Sequence, residues 1–184
     1  MSAIWGFYVE SECSGRRKPI VNEPPATAKR AGFPGSVFGF DYQMNPERAA
    51  ALCTSKGQEW TLEGSTGLCQ SKVATVVVPD LRLEFRLGTA SEITVVYRSP
   101  PNGINQNYTE LYAATKKNYG PPQVEPAHVS ALCAQSLAEC LANGEHPSGP
   151  IWQWADGSIE LRPIWQEDHA LLELHYTHED APLK

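Results

Sequence analysis

Ile151-Trp152-Gln153-Trp154-Ala155 runs into Asp156-Gly157 and out again as Ser158-Ile159-Glu160-Leu161-Arg162. Apolar and polar residues alternate on both sides of an Asp-Gly pair, the preferred chemistry of a two-residue hairpin turn. A third alternating run, Leu171-Leu172-Glu173-Leu174-His175-Tyr176, follows a turn expected at 166–169. The C-terminal third therefore reads as an antiparallel meander, and a sheet with one buried face needs something packed on it.

Helices upstream supply that layer. Asn45-Pro46-Glu47 has an N-cap residue, a proline at the first helical position and an acid near the positive helix end. Ala49, Leu52 and Cys53 make its apolar face, and Gly57 ends it. Tyr108, Leu111, Tyr112, Thr115 and Tyr119 form one helical stripe that stops at Gly120-Pro121-Pro122. A third helix is expected over 127–142, with Val129, Leu132, Cys133, Leu137, Cys140 and Leu141 sharing a face.

Between these lie more strands. Segments 59–62 and 68–70 flank Gly64-Ser65-Thr66-Gly67 as a hairpin; 73–78 is a β-branched run; 81–87 alternates with period two; 92–98 follows the turn at 88–91. Helix followed by strands occurs twice, with Pro100-Pro101-Asn102-Gly103 between the two runs. The expected fold is α+β, helices packed on antiparallel sheet in two similar tandem halves. The expected divisions are an irregular arm at 1–37, a first half at 38–101, a second at 102–178 and a tail at 179–184.

The composition bounds the function. Of 184 residues, 41% are hydrophobic and 20% charged, as in an ordinary globular domain. The net charge of −6 speaks against nucleic acid as a partner, since phosphate neutralisation needs a basic surface. The longest apolar run, 73–78, is far short of the ~20 residues that span a bilayer. Met1 to Tyr8 carries no basic leader or long apolar core, so the chain is expected either to be cytoplasmic or to be numbered from a mature N-terminus.

The chain has five cysteines, at 13, 53, 69, 133 and 140. The odd count leaves at least one thiol free or paired between chains. Cys53 and Cys69 are the candidate disulfide. No pair has Cys-x-x-Cys spacing, which argues against structural zinc. If Cys133 and Cys140 share one helix, a rise of ~1.5 Å per residue sets their backbones about 10 Å apart, too far to join.

Phe38-Gly39-Phe40-Asp41-Tyr42-Gln43-Met44-Asn45-Pro46-Glu47-Arg48-Ala49 resembles the "FG-x-x-x-x-Met-(Ser/Thr/Asn)-x-Glu" opening of small bacterial envelope domains, a group that includes the β-lactamase-inhibitor-protein fold and the outer-membrane assembly lipoproteins. Tyr119-Gly120-Pro121-Pro122 is similar to the helix exit of such proteins. Trp152-Gln153-Trp154-Ala155-Asp156-Gly157 is similar to a hairpin of related bacterial proteins. The likeness covers about 38–178. It implies an extracytoplasmic protein-binding domain, periplasmic or secreted, with no catalytic residues. The lipobox of the lipoproteins is missing around Cys13, and the N-terminal arm has no counterpart in that group.

Catalytic and metal-binding signals are sparse. His169, His175 and His178 lie near Asp168, Glu179 and Asp180, but a metal needs ligands that converge, and the expected state is a solvated sheet end. There is no Gly-x-Ser-x-Gly elbow. Cys13 beside Arg16 and Arg17 is the one thiol with a basic setting, and it supports a small thiol or metal-dependent hydrolase only as the last alternative. Glu84, Glu92, Glu160 and Glu173 read as outward strand positions.

The aromatic residues carry the binding hypothesis. Trp152 and Trp154 share a strand face, with Trp165 nearby. That face is either core beneath the helices or an open aromatic platform of the kind that dominates protein interfaces. Trp5, Phe7 and Tyr8 are the docking candidates of the arm. The expected function is a non-catalytic protein-binding module or accessory subunit, with an enzyme inhibitor or immunity-type partner as the sharper alternative. No cofactor is expected.

Overall fold

The alternation that marks the C-terminal strands continues across one large sheet. A computed structural model of the protein describes residues 32–71, 79–125, 130–166 and 169–179. The strands are β1 (Ser36–Val37), β2 (Phe40–Asp41), β3 (Glu59–Glu63), β4 (Thr66–Gln70), β5 (Asp80–Arg86), β6 (Thr89–Ser99), β7 (Ile151–Trp154), β8 (Gly157–Gln166) and β9 (His169–His178). The helices are α1 (Pro46–Ser55), α2 (Ile104–Tyr119), α3 (Ala131–Gln135) and α4 (Leu137–Ala142). The fold is α+β.

β1 and β2 make a small hairpin, and the other strands form a seven-stranded antiparallel sheet in the order β3-β4-β5-β6-β9-β8-β7. The first run of strands thus ends at the sheet centre on β6, and the last run ends beside it on β9. Their ladder extends from Glu92↔Thr177 to Ser99↔Ala170, so the two runs share one sheet rather than stacking two.

Period-two alternation gives the sheet two unlike faces. One carries Cys69, Leu81, Leu83, Ile93, Val95, Leu172, Leu174, Tyr176, Ile159, Leu161 and Trp152, all buried. Helices α1, α2 and α4 pack here. α1 begins as its sequence dictates, with the Asn45 side chain accepting the Arg48 amide at 2.9 Å. Its Cys53 is joined to Cys69 of β4, Cα atoms 5.7 Å apart, so the candidate disulfide is present.

Three local expectations are corrected. The third helix is not continuous: Ser136 adopts an extended conformation (φ −147°, ψ 102°) and starts α4 as its N-cap, its side chain accepting the Glu139 amide. The break folds α4 back toward α3. The Cα atoms of Cys133 and Cys140 come within 4.8 Å, and the two cysteines are disulfide-bonded. The geometric exclusion of that pair held only for an unbroken helix.

The second correction concerns the quoted hairpin. Trp154 pairs with Gly157, so Ala155-Asp156 forms the turn and Gly157 is a strand residue. A Cβ at Gly157 would lie 2.6 Å from the Thr177 carbonyl and 2.7 Å from the Phe33 ring, so close packing and not turn geometry requires the glycine. The third is similar. The β3–β4 turn is Gly64-Ser65 alone, and Gly67 lies within β4 under the Trp60 ring. The β-branched run at 73–78 falls outside the described residues, as do residues 1–31.

Candidate interaction face on the open side of the sheet

The opposite face has no described helix over it. Most of its positions are polar, Leu68, Val96 and Leu171 being exceptions, and they carry Glu59, Glu63, Asp80, Glu84, Glu92, Glu160 and Glu173 against Arg82, Arg86, Arg98 and Arg162. Seven carboxylates against four arginines make it an acidic face.

Its centre is a buried polar cluster. Arg82 on β5 reaches across β6 to Glu173 on β9, with Nη2 3.2 Å from Oε1. The other carboxylate oxygen lies 3.2 Å from His175 Nε2, and that nitrogen lies 3.4 Å from the Thr94 hydroxyl. Glu173 is only 4% exposed. Burial pushes its carboxyl up, but the His175 hydrogen bond and the Arg82 and His175 charges outweigh burial and leave it below the usual carboxylate range. Toward one sheet end, Arg98 donates to Asp80 at 3.0 Å, and Asp80 also accepts the Ser71 amide at 3.0 Å. These groups border a cleft of about 350 Å³ whose apolar lining includes Leu68, Val96 and Leu171.

Further along, Glu84 of β5 stands directly opposite Glu92 of β6. Like charges at paired positions destabilise a sheet. The Thr66 hydroxyl binds the Glu84 carboxylate at 2.9 Å, and the carboxylates of Glu160, Glu173 and Glu92 surround Arg162. Arg162 donates to Glu160 at 2.6 Å, and this bond is the main reason its pKa is raised.

Next to the Glu84–Glu92 pair the register shifts: Phe85 pairs with Ala90, leaving Ser91 as the extra residue of a β-bulge. The hairpin then closes on Leu87-Gly88, both at positive φ (53° and 84°). Leu87 is 96% exposed. A bulky residue in the left-handed region is strained, and Asn, Asp or Gly is the usual choice there.

The sequence-derived aromatic candidates lie on the other face. Trp152 is completely buried, its indole nitrogen donating to the Gly120 carbonyl at 2.8 Å where α2 ends. Trp154 is half-buried, with Tyr119 edge-on at 5.7 Å between ring centres and Phe33 at 5.6 Å. Trp165, also half-buried, packs against the core on the same face. In this fold the face with the tryptophans is the core face, and the open face is polar. Trp5, Phe7, Tyr8 and Cys13 lie outside the described residues.

The three C-terminal histidines do not converge. His169 and His175 project from the open face of β9, while His178 projects to the helix side and stacks on Tyr42 at 4.9 Å. His175 makes both of its polar contacts through Nε2, and Thr94 is 1% exposed. That geometry supplies no relay to an accessible nucleophile among the described residues. Arg82 and Glu173, the centre of the face, were legible only as polar positions in alternating strands; their contact depends on the sheet order.

No helix among the described residues is long and apolar enough to cross a membrane. Two disulfides in one chain point to an oxidising compartment. The chain matches no family model, no curated protein and no solved structure.

Proposed function

We propose that this chain is a non-catalytic protein-binding module, an accessory subunit of a bacterial envelope assembly, whose open sheet face docks a basic surface of another protein. One observation carries the reading: an acidic sheet face without a described covering element, on which Glu84 and Glu92 oppose each other at a cost to the fold. The Thr66 hydroxyl and the Arg162 charge offset that repulsion only in part, and local rules broken in this way are a usual mark of a functional surface. A cationic partner would relieve that repulsion and be steered by it. The disulfides favour a periplasmic or secreted setting.

The test is site-specific photocrosslinking in envelope and secreted fractions of the source cells, with the reactive group at position 84, 92 or 162 and, as a control, at 117 on α2. The reading expects one protein crosslinked from the sheet positions and not from 117. Binding of that protein, once purified, should weaken with salt and lose about tenfold or more on Glu84→Lys/Glu92→Lys. Equal crosslinking from both faces, or salt-independent binding, would remove the proposal.

A second, narrower reading is an enzyme inhibitor or immunity-type partner. Leu87 favours it: a strained, fully exposed apolar residue on a hairpin tip is shaped to enter a pocket. Leu87→Asn should abolish inhibition of the captured enzyme while leaving the fold intact. Full inhibition by that variant would rule this reading out.

A further inference from the structure

The elbow between α3 and α4, away from the sheet face, gathers three atoms that can ligate a metal ion. The sulfurs of Cys133 and Cys140 and a carboxylate oxygen of Glu145 all lie within 4.8 Å of one another. Glu145 Oε2 is 3.3 Å from Cys133 Sγ. A disulfide sulfur has no proton to donate, so in the oxidised protein this carboxylate rests against an electron-rich atom with no hydrogen bond between them.

The elbow does not depend on the sulfur–sulfur bond alone. In a continuous helix the Leu137 amide would bond to Cys133; here it donates to Asn105 Oδ1 of α2 at 2.9 Å. Ser130 caps α3 through the Cys133 amide at 3.1 Å, and Ser136 caps α4 through the Glu139 amide at 3.3 Å. The Glu145 amide donates to the Cys140 carbonyl at 3.1 Å, tying the carboxylate's own residue to the site. None of these four bonds passes through sulfur, so reducing the disulfide removes none of them directly.

We propose that the reduced elbow is a binding site for a borderline divalent cation of the zinc type, with Cys133, Cys140 and Glu145 as protein ligands and the disulfide as its oxidised alternative. Two thiolates and a carboxylate suit such a cation, and water completes four-coordination where Cys133 is 8% exposed. The chemistry balances with an external dithiol as reductant. The Cys133–Cys140 bond breaks, the reagent's own disulfide forms, and its two protons pass to the cysteines. The cation then displaces those two protons as it binds. Cys-x6-Cys-x4-Glu is not a recognised ligand spacing, so only the broken helix exposes the site.

Cobalt(II) is the probe, titrated anaerobically into the full chain reduced with excess phosphine. The expected result is one tightly held ion per chain, with thiolate-to-cobalt charge transfer and tetrahedral visible bands, displaced by zinc. The oxidised protein and Cys133→Ser/Cys140→Ser should lack these bands, and Glu145→Gln should keep them but bind about tenfold or more weakly. A second measurement needs no variant: zinc should protect Cys133 and Cys140 of the reduced wild-type chain from alkylation, read by peptide mass spectrometry. The proposal is overturned if the bands are absent from the reduced wild type, if they survive the double serine variant, if Glu145→Gln binds as wild type, or if zinc leaves both cysteines open to alkylation.

Discussion

Arg82 and Glu173 are 91 residues apart in sequence and meet across β6, 3.2 Å apart, with Glu173 buried and Arg82 partly exposed. The contact laces β5 to β9 over the central strand. A buried carboxylate stripped of its partners is costly, whereas a pair this close to solvent adds only modest net stability. Its worth lies in fixing the side chains at the centre of the acidic face.

Glu173 should make stability fall in acid. Its pKa is lower in the folded protein than in the unfolded chain, so the unfolded chain binds the proton first as pH drops. The contribution is complete above the ordinary carboxylate range and is lost as pH falls through the lower, folded value. Glu173→Gln should cost about 1–2 kcal/mol at pH 7 and flatten the stability profile from about pH 5 downward. Urea unfolding across that pH series measures both; parallel wild-type and variant profiles contradict the assignment.

Trp152 should be the most sensitive position on the core face. Trp152→Ala removes the largest fully buried side chain among the described residues and the bond to Gly120, and should cost about 3–5 kcal/mol. Trp152→Phe should cost less, about 1–3 kcal/mol, because most of the volume remains while the Gly120 carbonyl loses its donor. Denaturant midpoints at constant m-value test the ranking.

Leu87→Asn should leave the protein as stable or more stable, by up to about 1 kcal/mol. Asn tolerates the left-handed region, and no packing is lost at a side chain that is 96% exposed. Thermal melts that drop by several degrees would mean that Leu87 makes contacts that stabilise the fold.

Removing the Cys53–Cys69 bond should cost about 3 kcal/mol, since it closes a loop with a sequence separation of 16. The Cys133–Cys140 loop, with a separation of 7, should cost less, about 2 kcal/mol. Calorimetry of Cys53→Ala/Cys69→Ala beside Cys133→Ser/Cys140→Ser gives the order; the reverse order contradicts the loop-entropy argument.

Tyr42→Phe should be neutral or stabilising at pH 7. The Tyr42 hydroxyl is buried with no hydrogen-bond partner among the described residues. Burial also raises its pKa, so the wild-type contribution is complete below about pH 10 and is lost as alkali ionises the unfolded chain first. The variant should therefore resist alkaline unfolding better. A loss of more than about 1 kcal/mol at pH 7 would reveal a partner for the hydroxyl.

Much of the fold was legible because its signals are local. The Asn45-Pro46-Glu47 helix start, the α2 stripe ending at Gly120 and the alternation in β5, β8 and β9 each depend on neighbours within a few residues. The misreadings share a cause. The stripe from Leu132 to Leu141 satisfies helical periodicity whether or not the helix breaks, and the break is stabilised by Asn105, remote in sequence. Asp156-Gly157 has turn chemistry, yet Gly157 is consumed by packing against Phe33 and β9. Only part of the candidate site was visible. Glu84, Glu92, Glu160 and Glu173 were read as solvated outward positions, which Glu173 is not, being buried on that face, and alternation does not say which strands are neighbours.

By itself, the sequence determined the α+β class and the two-faced strands, and it offered Cys53–Cys69 as a candidate pair, because periodicity and capping act through backbone geometry over short distances. Only the tertiary structure decided that the tryptophans belong to the core, that Arg82 meets Glu173, and that Cys133 reaches Cys140. Each of these depends on which distant segments share a sheet edge or an elbow. Long-range packing settles that choice, and no local propensity encodes it.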